Sequence, residues 1–355
     1  MYVAASPALR KLLWLMLASI IVYILGYSDI TVEVLYSRGL YQLTAILQRT
    51  ISSMLPFAIG DLLYVSLVIY IIRQLVRFCI RLKSGGVGRP EFKLLFIQTA
   101  SFLLILYLLF KLLWGLNYSR PQIHKQLGIT NDKYTTAQLV QLGSFFIGRL
   151  NSLDHVENRR YNINELRDIA SAAYRRLENQ YPLFRYNQPS VKPVLNSYLI
   201  TRAGIEGYYN PLSGEANVNM RLPSVSLPFV TCHEIAHQLG IGREDEANLV
   251  GYLAAVNSTD DNFRYSAAYA MLKSILFEIR IKSPEDYEKI YQTINPKTIK
   301  NLEKDRNFWR QYNSGMFAYM DVAFDRFLKL NNQKKGTDSY QDIVLWLYNI
   351  HKKDL

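Results

Sequence analysis

Cysteine and histidine are scarce in this 355-residue chain, with two and five copies. Two cysteines exclude a disulfide scaffold and a cysteine-rich zinc module, and Cys79 and Cys232 lie in segments so different in character that no bridge is expected between them. There is no internal repeat and no low-complexity tract, which excludes a solenoid. A concentrated basic patch is missing too. Of the net charge of +12, the first 114 residues carry +7 (11 basic, 4 acidic) and the remainder +5 (30 basic, 25 acidic), so nucleic acid is not an expected partner.

Against this scarcity, His233-Glu234-Ile235-Ala236-His237 stands out. Residues four apart share a helical face, so the two imidazoles can share one metal ion. Glu234 then lies where a carboxylate can act as general base on a water whose pKa zinc lowers to roughly 7. By composition, such a motif arises by chance in roughly one chain of this kind in a hundred. Pro228 before it and Gly240 after it are the start and stop signals of a helix.

A catalytic zinc site has three protein ligands and an open position. Cys232 points about 100° away from His233 around the helix and reads as a packing residue. The third ligand is therefore sought among the acids of Arg243-Glu244-Asp245-Glu246-Ala247-Asn248, which look like the first turn of a second helix. Glu244 is the first choice, because it shares a face with the small residues Ala247, Asn248 and Gly251, which allow close approach. Glu246 is the alternative, although Leu249, Val250 and Leu253 on its face suggest a core role.

Glu244 to Asn248 is similar to the E-x-x-A-D segment of gluzincin membrane peptidases related to the CAAX prenyl protease, with Asn248 in the place of aspartate; its side-chain carbonyl can still accept a histidine N–H. The metzincin pattern is excluded, because Arg243 stands where its third histidine would fall. Over most of its length the chain resembles an uncharacterised membrane family, domain of unknown function 3810, placed among zincin-like peptidases. The resemblance is carried by Pro56-Phe57, Gly60-Asp61, Trp114-Gly115-Leu116-Asn117-Tyr118, Cys232-His233-Glu234, Gln238-Leu239-Gly240, Gly336 and Ser339-Tyr340. It implies a zincin-like architecture and leaves the substrate open.

Residues 12–27, 55–72 and 94–113 are each about long enough and apolar enough to cross a bilayer. The first is longer than the apolar core of a signal peptide and lacks a cleavage site, so it reads as an anchor. Arg73, Arg77, Arg81, Lys83, Arg89 and Lys93 against Glu91 mark the second connection as cytoplasmic, as do Arg10 and Lys11 at the N-terminus. Residues 28–54 are then external, and everything after Trp114 is extracytoplasmic or periplasmic. Asp61 reads as an interfacial or helix-end residue, where an acid can remain hydrated. Charges close to the H-E-x-x-H motif place it in water, not within the bilayer.

The expected fold is thus a membrane region of three transmembrane helices (1–114) followed by a mainly α, α+β zincin-like domain with a small β-sheet (115–355). Amphipathic patterns predict helices over 136–150, 164–179, 263–281, 284–294, 296–330 and 339–352, with Asn162 and Glu165 forming a capping box. Short apolar runs broken by glycines predict a sheet within 190–219, with 215–220 as an edge strand available to an extended peptide and Asn210 to Gly214 as a turn. Tyr209 and Tyr340 are weak candidates for an oxyanion donor, and His124, His155 and His351 are expected at the surface. The functional expectation is a membrane-anchored zinc peptidase: His233, His237 and Glu244 hold Zn2+, Glu234 is the base, and a peptide or protein is the substrate. Its rivals are a non-catalytic receptor or scaffold and, more remotely, a transporter.

Overall fold

The computed structural model describes residues 6–84, 88–312, 315–331 and 342–355. Helix α1 (Pro7–Leu25) starts at Ser6, whose hydroxyl accepts from Leu9 N at 3.3 Å, with proline in the first turn. After a short turn the chain stays helical: Val32–Leu40 is π-helical and leads into α2 (Tyr41–Ser53). Helices α3 (Ile59–Lys83) and α4 (Arg89–Leu113) follow. Helix α3 starts four residues later than its apolar run, because Pro56 disfavours helix in the residue before it, and continues to the basic residues Arg81 and Lys83, which suit a helix C-terminus.

Three helices, α1, α3 and α4, are long and apolar enough to cross a membrane. Trp14, Ile24, Val68, Ile72, Phe96 and Leu103 project outward and exposed. Faces of this kind suit lipid and are a liability in water. Helix α1 packs along α4, and α3 meets α4 through the ring pairs Tyr70–Phe102 and Phe78–Phe92.

The rest of the chain is mainly helical around one large core. Helices α5 (Thr136–Ser152) and α6 (Ile163–Gln180) occupy the expected places, and the capping box at Asn162 and Glu165 is formed in both directions. Strands β1 (Val191–Pro193), β2 (Gly207–Asn210) and β3 (Glu215–Val218) form a sheet in the order β1-β3-β2, with β1 parallel and β2 antiparallel to β3. The expectation of an edge strand at 215–220 is therefore corrected. Strand β3 is central and paired on both sides, while β2 is an edge, because the Asn210 to Gly214 turn folds β2 back onto β3.

Helices α7 (Leu227–Gln238) and α8 (Glu244–Val256) run through the core, with α9 (Asp261–Lys282) packed against both; the short helix Pro284–Tyr291, α10 (Pro296–Tyr312), α11 (Gly315–Leu330), whose Phe327 meets Phe110 and Tyr118, and α12 (Asp342–His351), packed on α8, complete the described chain. Gly336, Ser339 and Tyr340 lie outside the described residues. Two surface expectations fail: His124 is buried and stacked on Trp346, and His351 is buried with Nε2 2.8 Å from the Tyr252 hydroxyl. Aromatic neighbours on other elements take both rings inward. His155 is exposed, beside Asp261.

The first turn of α3 docks on the later domain. Glu215 on β3 accepts from Ile59 N at 3.0 Å and Gly60 N at 2.8 Å, so a carboxylate from the sheet caps the N-terminus of α3. Asp61 accepts from Leu195 N at 2.7 Å and from the Tyr208 hydroxyl, the helix-end role expected of it. A Cβ on Gly60 would lie 2.2 Å from Asn210, which explains glycine there.

Candidate metal centre

Helix α7 carries the motif, and its end is set by Gly240 in the left-handed region (φ +78°), where a Cβ would also meet Asn117 at 2.9 Å. The reversal brings the Ile241 carbonyl to His237, whose Nδ1 donates to it at 2.7 Å. His233 Nδ1 donates to Asn248 Oδ1 at 2.9 Å. With both Nδ1 atoms engaged as donors, the Nε2 lone pairs remain free for a ligand, as in most histidine metal sites. Helix α8 comes close because Gly251 lacks a side chain; a Cβ there would lie 3.0 Å from His233 N. This close approach delivers Glu244.

The three donors converge. His233 Nε2 and His237 Nε2 are 3.1 Å apart, Glu244 Oε2 is 3.3 Å from the former, and Glu244 Oε1 is 3.6 Å from the latter. Ligands arranged tetrahedrally at zinc bond lengths of ~2.0–2.2 Å are roughly 3.3–3.6 Å apart. The residues present therefore fit one small divalent cation, and His233, His237 and Glu244 are the group among the described residues whose donor atoms come within 4.8 Å of one another. Burial would lower the pKa of His237, and the Glu244 carboxylate reverses that, raising it to about 9. Burial acts to raise that of Glu244, and the two imidazoles outweigh it, holding the carboxyl well below its usual range. The field between the donors thus favours positive charge.

Glu246, the alternative ligand, turns away and accepts from Ile123 N at 2.9 Å and Arg243 at 3.0 Å. Cys232 is buried and outside the cluster, with its thiol pushed up by burial. Glu234 is 3% exposed, and its Oε2 has no hydrogen-bond partner. Burial raises its pKa to about 7, against the two histidines and with help from Glu244 and Glu206. Space for this carboxylate is made by Gly207 at the start of β2, where a Cβ would lie 2.6 Å from Glu234 Oε1. The carboxylate is thus held in a proton-accepting range beside the donor cluster and the edge strand.

Sequence reasoning missed the groups that cap α7. The carbonyls of its last residues accept from Trp114 Nε1 (His237, 3.0 Å), from Tyr41 and Arg49 (Gln238, both 2.9 Å) and from Arg120 (Leu239, 3.2 Å; Gly240, 3.0 Å). Glu33 pairs with Arg120 at 2.7 Å, and all three charged side chains are buried. Tyr209, a weak oxyanion candidate, packs on Trp114 instead, with ring centroids 5.2 Å apart. Tyr118, buried just past α4, has its hydroxyl pKa raised first by burial and then by Glu244, which places it nearer the cluster in electrostatic terms.

One family model, described as Protein of unknown function (DUF3810), matches residues 36–348, a stretch that runs from the π-helical segment to the last helix. No curated protein and no solved structure matches the chain.

Proposed function

The chain belongs to this family of unknown function, and on that premise we propose that it is a membrane-anchored zinc metallopeptidase with a zincin-like catalytic domain. The observation that carries the reading is the convergence of His233 Nε2, His237 Nε2 and Glu244 within 3.1 to 3.6 Å, beside the buried, unpartnered carboxylate of Glu234. Zinc bound there supplies a Lewis acid that polarises a carbonyl and makes water more acidic. Glu234 takes the proton from a water set against the peptide carbonyl and returns it to the leaving nitrogen. Asn248 and the Ile241 carbonyl keep both rings oriented. An extended substrate would pair with the free side of β2, the edge that abuts Glu234.

Charge distribution favours an N-terminus in the cytoplasm and a catalytic domain on the outer, periplasmic face of the cytoplasmic membrane. Trp114, the first residue past α4, bonds to His237, so the reaction would take place close to the bilayer surface.

The test is metal content of the full-length protein alongside cleavage of a generic peptide set. About one zinc per chain is expected, lost in His233→Ala and Glu244→Ala and kept in Glu246→Ala; Glu234→Gln should keep zinc and abolish cleavage. Metal without cleavage of any peptide would favour the rival reading, a non-catalytic receptor or scaffold. No metal after zinc reconstitution would end the peptidase reading.

A further inference from the structure

A cavity of about 130 Å³ adjoins the candidate metal centre on the His233 side. Two of its lining residues touch that histidine: Asn248 through its hydrogen bond, and Phe229 with ring centroids 6.3 Å apart. Glu206, Tyr269, Lys273 and Ser226 form other parts of the wall. At ~30 Å³ per water the space holds about four waters, enough for a short chain of methylenes ending in a polar group.

Its charges are unbalanced. Lys273 is bound to Asp305 at 2.7 Å, and among the described residues Glu206 has no cation within ion-pair distance and no hydrogen-bond donor. One lysine facing two acidic groups leaves Glu206 without a cation of its own, and burial pushes its pKa up, a cost that a bound cation would relieve. The Tyr269 hydroxyl and Ser226 Oγ are buried without partners in the same wall. Buried polar groups are nearly always satisfied, so two unsatisfied hydroxyls beside the partly buried, unpaired Glu206 carboxylate point to an occupant. Glu206 also directly precedes Gly207, the residue that makes room for Glu234, so a substrate lying along β2 would pass this opening beside its reacting bond.

We propose that this cavity is a specificity pocket for an ammonium or guanidinium group next to the scissile bond, with Glu206 as its counter-charge and the Tyr269 and Ser226 hydroxyls as further acceptors. The proposal rests on the peptidase reading for the word scissile; binding of the cation does not depend on it. The basic group comes from a lysine or arginine side chain or from the free amine of a peptide N-terminus, and the two sources are separable by acetylation.

The experiment uses the full-length protein in neutral lipid nanodiscs, loaded with zinc, and paired fluorescent peptides that differ only in lysine or norleucine at one position, each with a free or acetylated N-terminus. Binding is measured by anisotropy on the Glu234→Gln variant, and cleavage on the protein with Glu234 intact. A charge-assisted contact predicts a preference for the basic peptide of about 10- to 100-fold, collapsing towards one when Glu206→Gln is added. A preference that follows only the free N-terminus assigns the pocket to the amine. Equal binding of both peptides, or a preference that persists in a Glu206→Gln protein that keeps its zinc, overturns the proposal. Selective binding without cleavage of any peptide leaves the pocket standing and removes the peptidase reading; cleavage without selectivity does the reverse.

Discussion

Gly207 and Glu246 illustrate how single residues set this site. A Cβ at Gly207 would lie 2.6 Å from Glu234 Oε1, so Gly207→Ala must displace the carboxylate. A misplacement of about 1 Å can cost on the order of 100-fold in rate; steady-state kinetics should show that fall in kcat while zinc content stays unchanged. Glu246 holds Ile123 N and Arg243, so Glu246→Gln should keep the metal and lower stability by about 1.5–3 kcal/mol, read by thermal unfolding. His351 is held neutral: burial first, then Arg149, lower its pKa to about 4. An unfolded histidine titrates near ~6.5, so its contribution to stability is complete above that pH and is lost as pH falls towards 4. Melting temperature against pH should decline over this window, and His351→Gln should flatten the decline. The two histidines and the glutamate between them were legible from spacing alone. Glu244 was favoured by the small residues on its face with Glu246 left open, and Glu206 and Gly207, which lie elsewhere in the chain, carry no local signal.

Among the elements, α7 depends on partners far away in the chain. Its terminal carbonyls are buried acceptors without intrahelical donors, and Tyr41, Arg49, Trp114 and Arg120 supply them. Arg120 is buried with Glu33. Arg120→Ala should therefore destabilise the protein by about 3–5 kcal/mol, since it leaves the buried Glu33 with only the exposed Arg38 as cation partner and takes the donor from the Leu239 and Gly240 carbonyls. Adding Glu33→Gln should restore part of that loss, and thermal unfolding in detergent would show no recovery if the pair were unimportant. Helix periods and caps were readable because they depend on neighbours three or four residues apart, as at Asn162 and Glu165. Strand order was not: residues 215–220 have the pattern of an edge strand, and only the pairing with residues 191–193 makes that strand central.

At the scale of the whole molecule, the boundary at residue 115 falls where the chain leaves the last of its three long apolar helices, and the part that carries the donor cluster also draws on earlier residues. Tyr41 and Arg49 cap the end of α7, Glu33 holds the capping Arg120, and Gly60 and Asp61 engage β3 and its surroundings. A fragment of residues 115–355 should accordingly melt at lower temperature and bind less zinc than the full chain; circular dichroism and elemental analysis would refute this by finding a cooperative, metal-replete fragment.

What the sequence by itself determined is local or compositional: three apolar stretches of spanning length, helices with their caps, and two histidines with a glutamate between them on one face. These follow from periodicity, transfer free energy and backbone geometry, which act over a few residues. Only the tertiary structure decided that Glu244 and not Glu246 meets the histidines, that β2 is the strand beside Glu234, and that the segment between α1 and α3 holds the end of α7. Those outcomes depend on which buried donors, acceptors and charges find partners across more than a hundred residues, and that is fixed by packing in three dimensions.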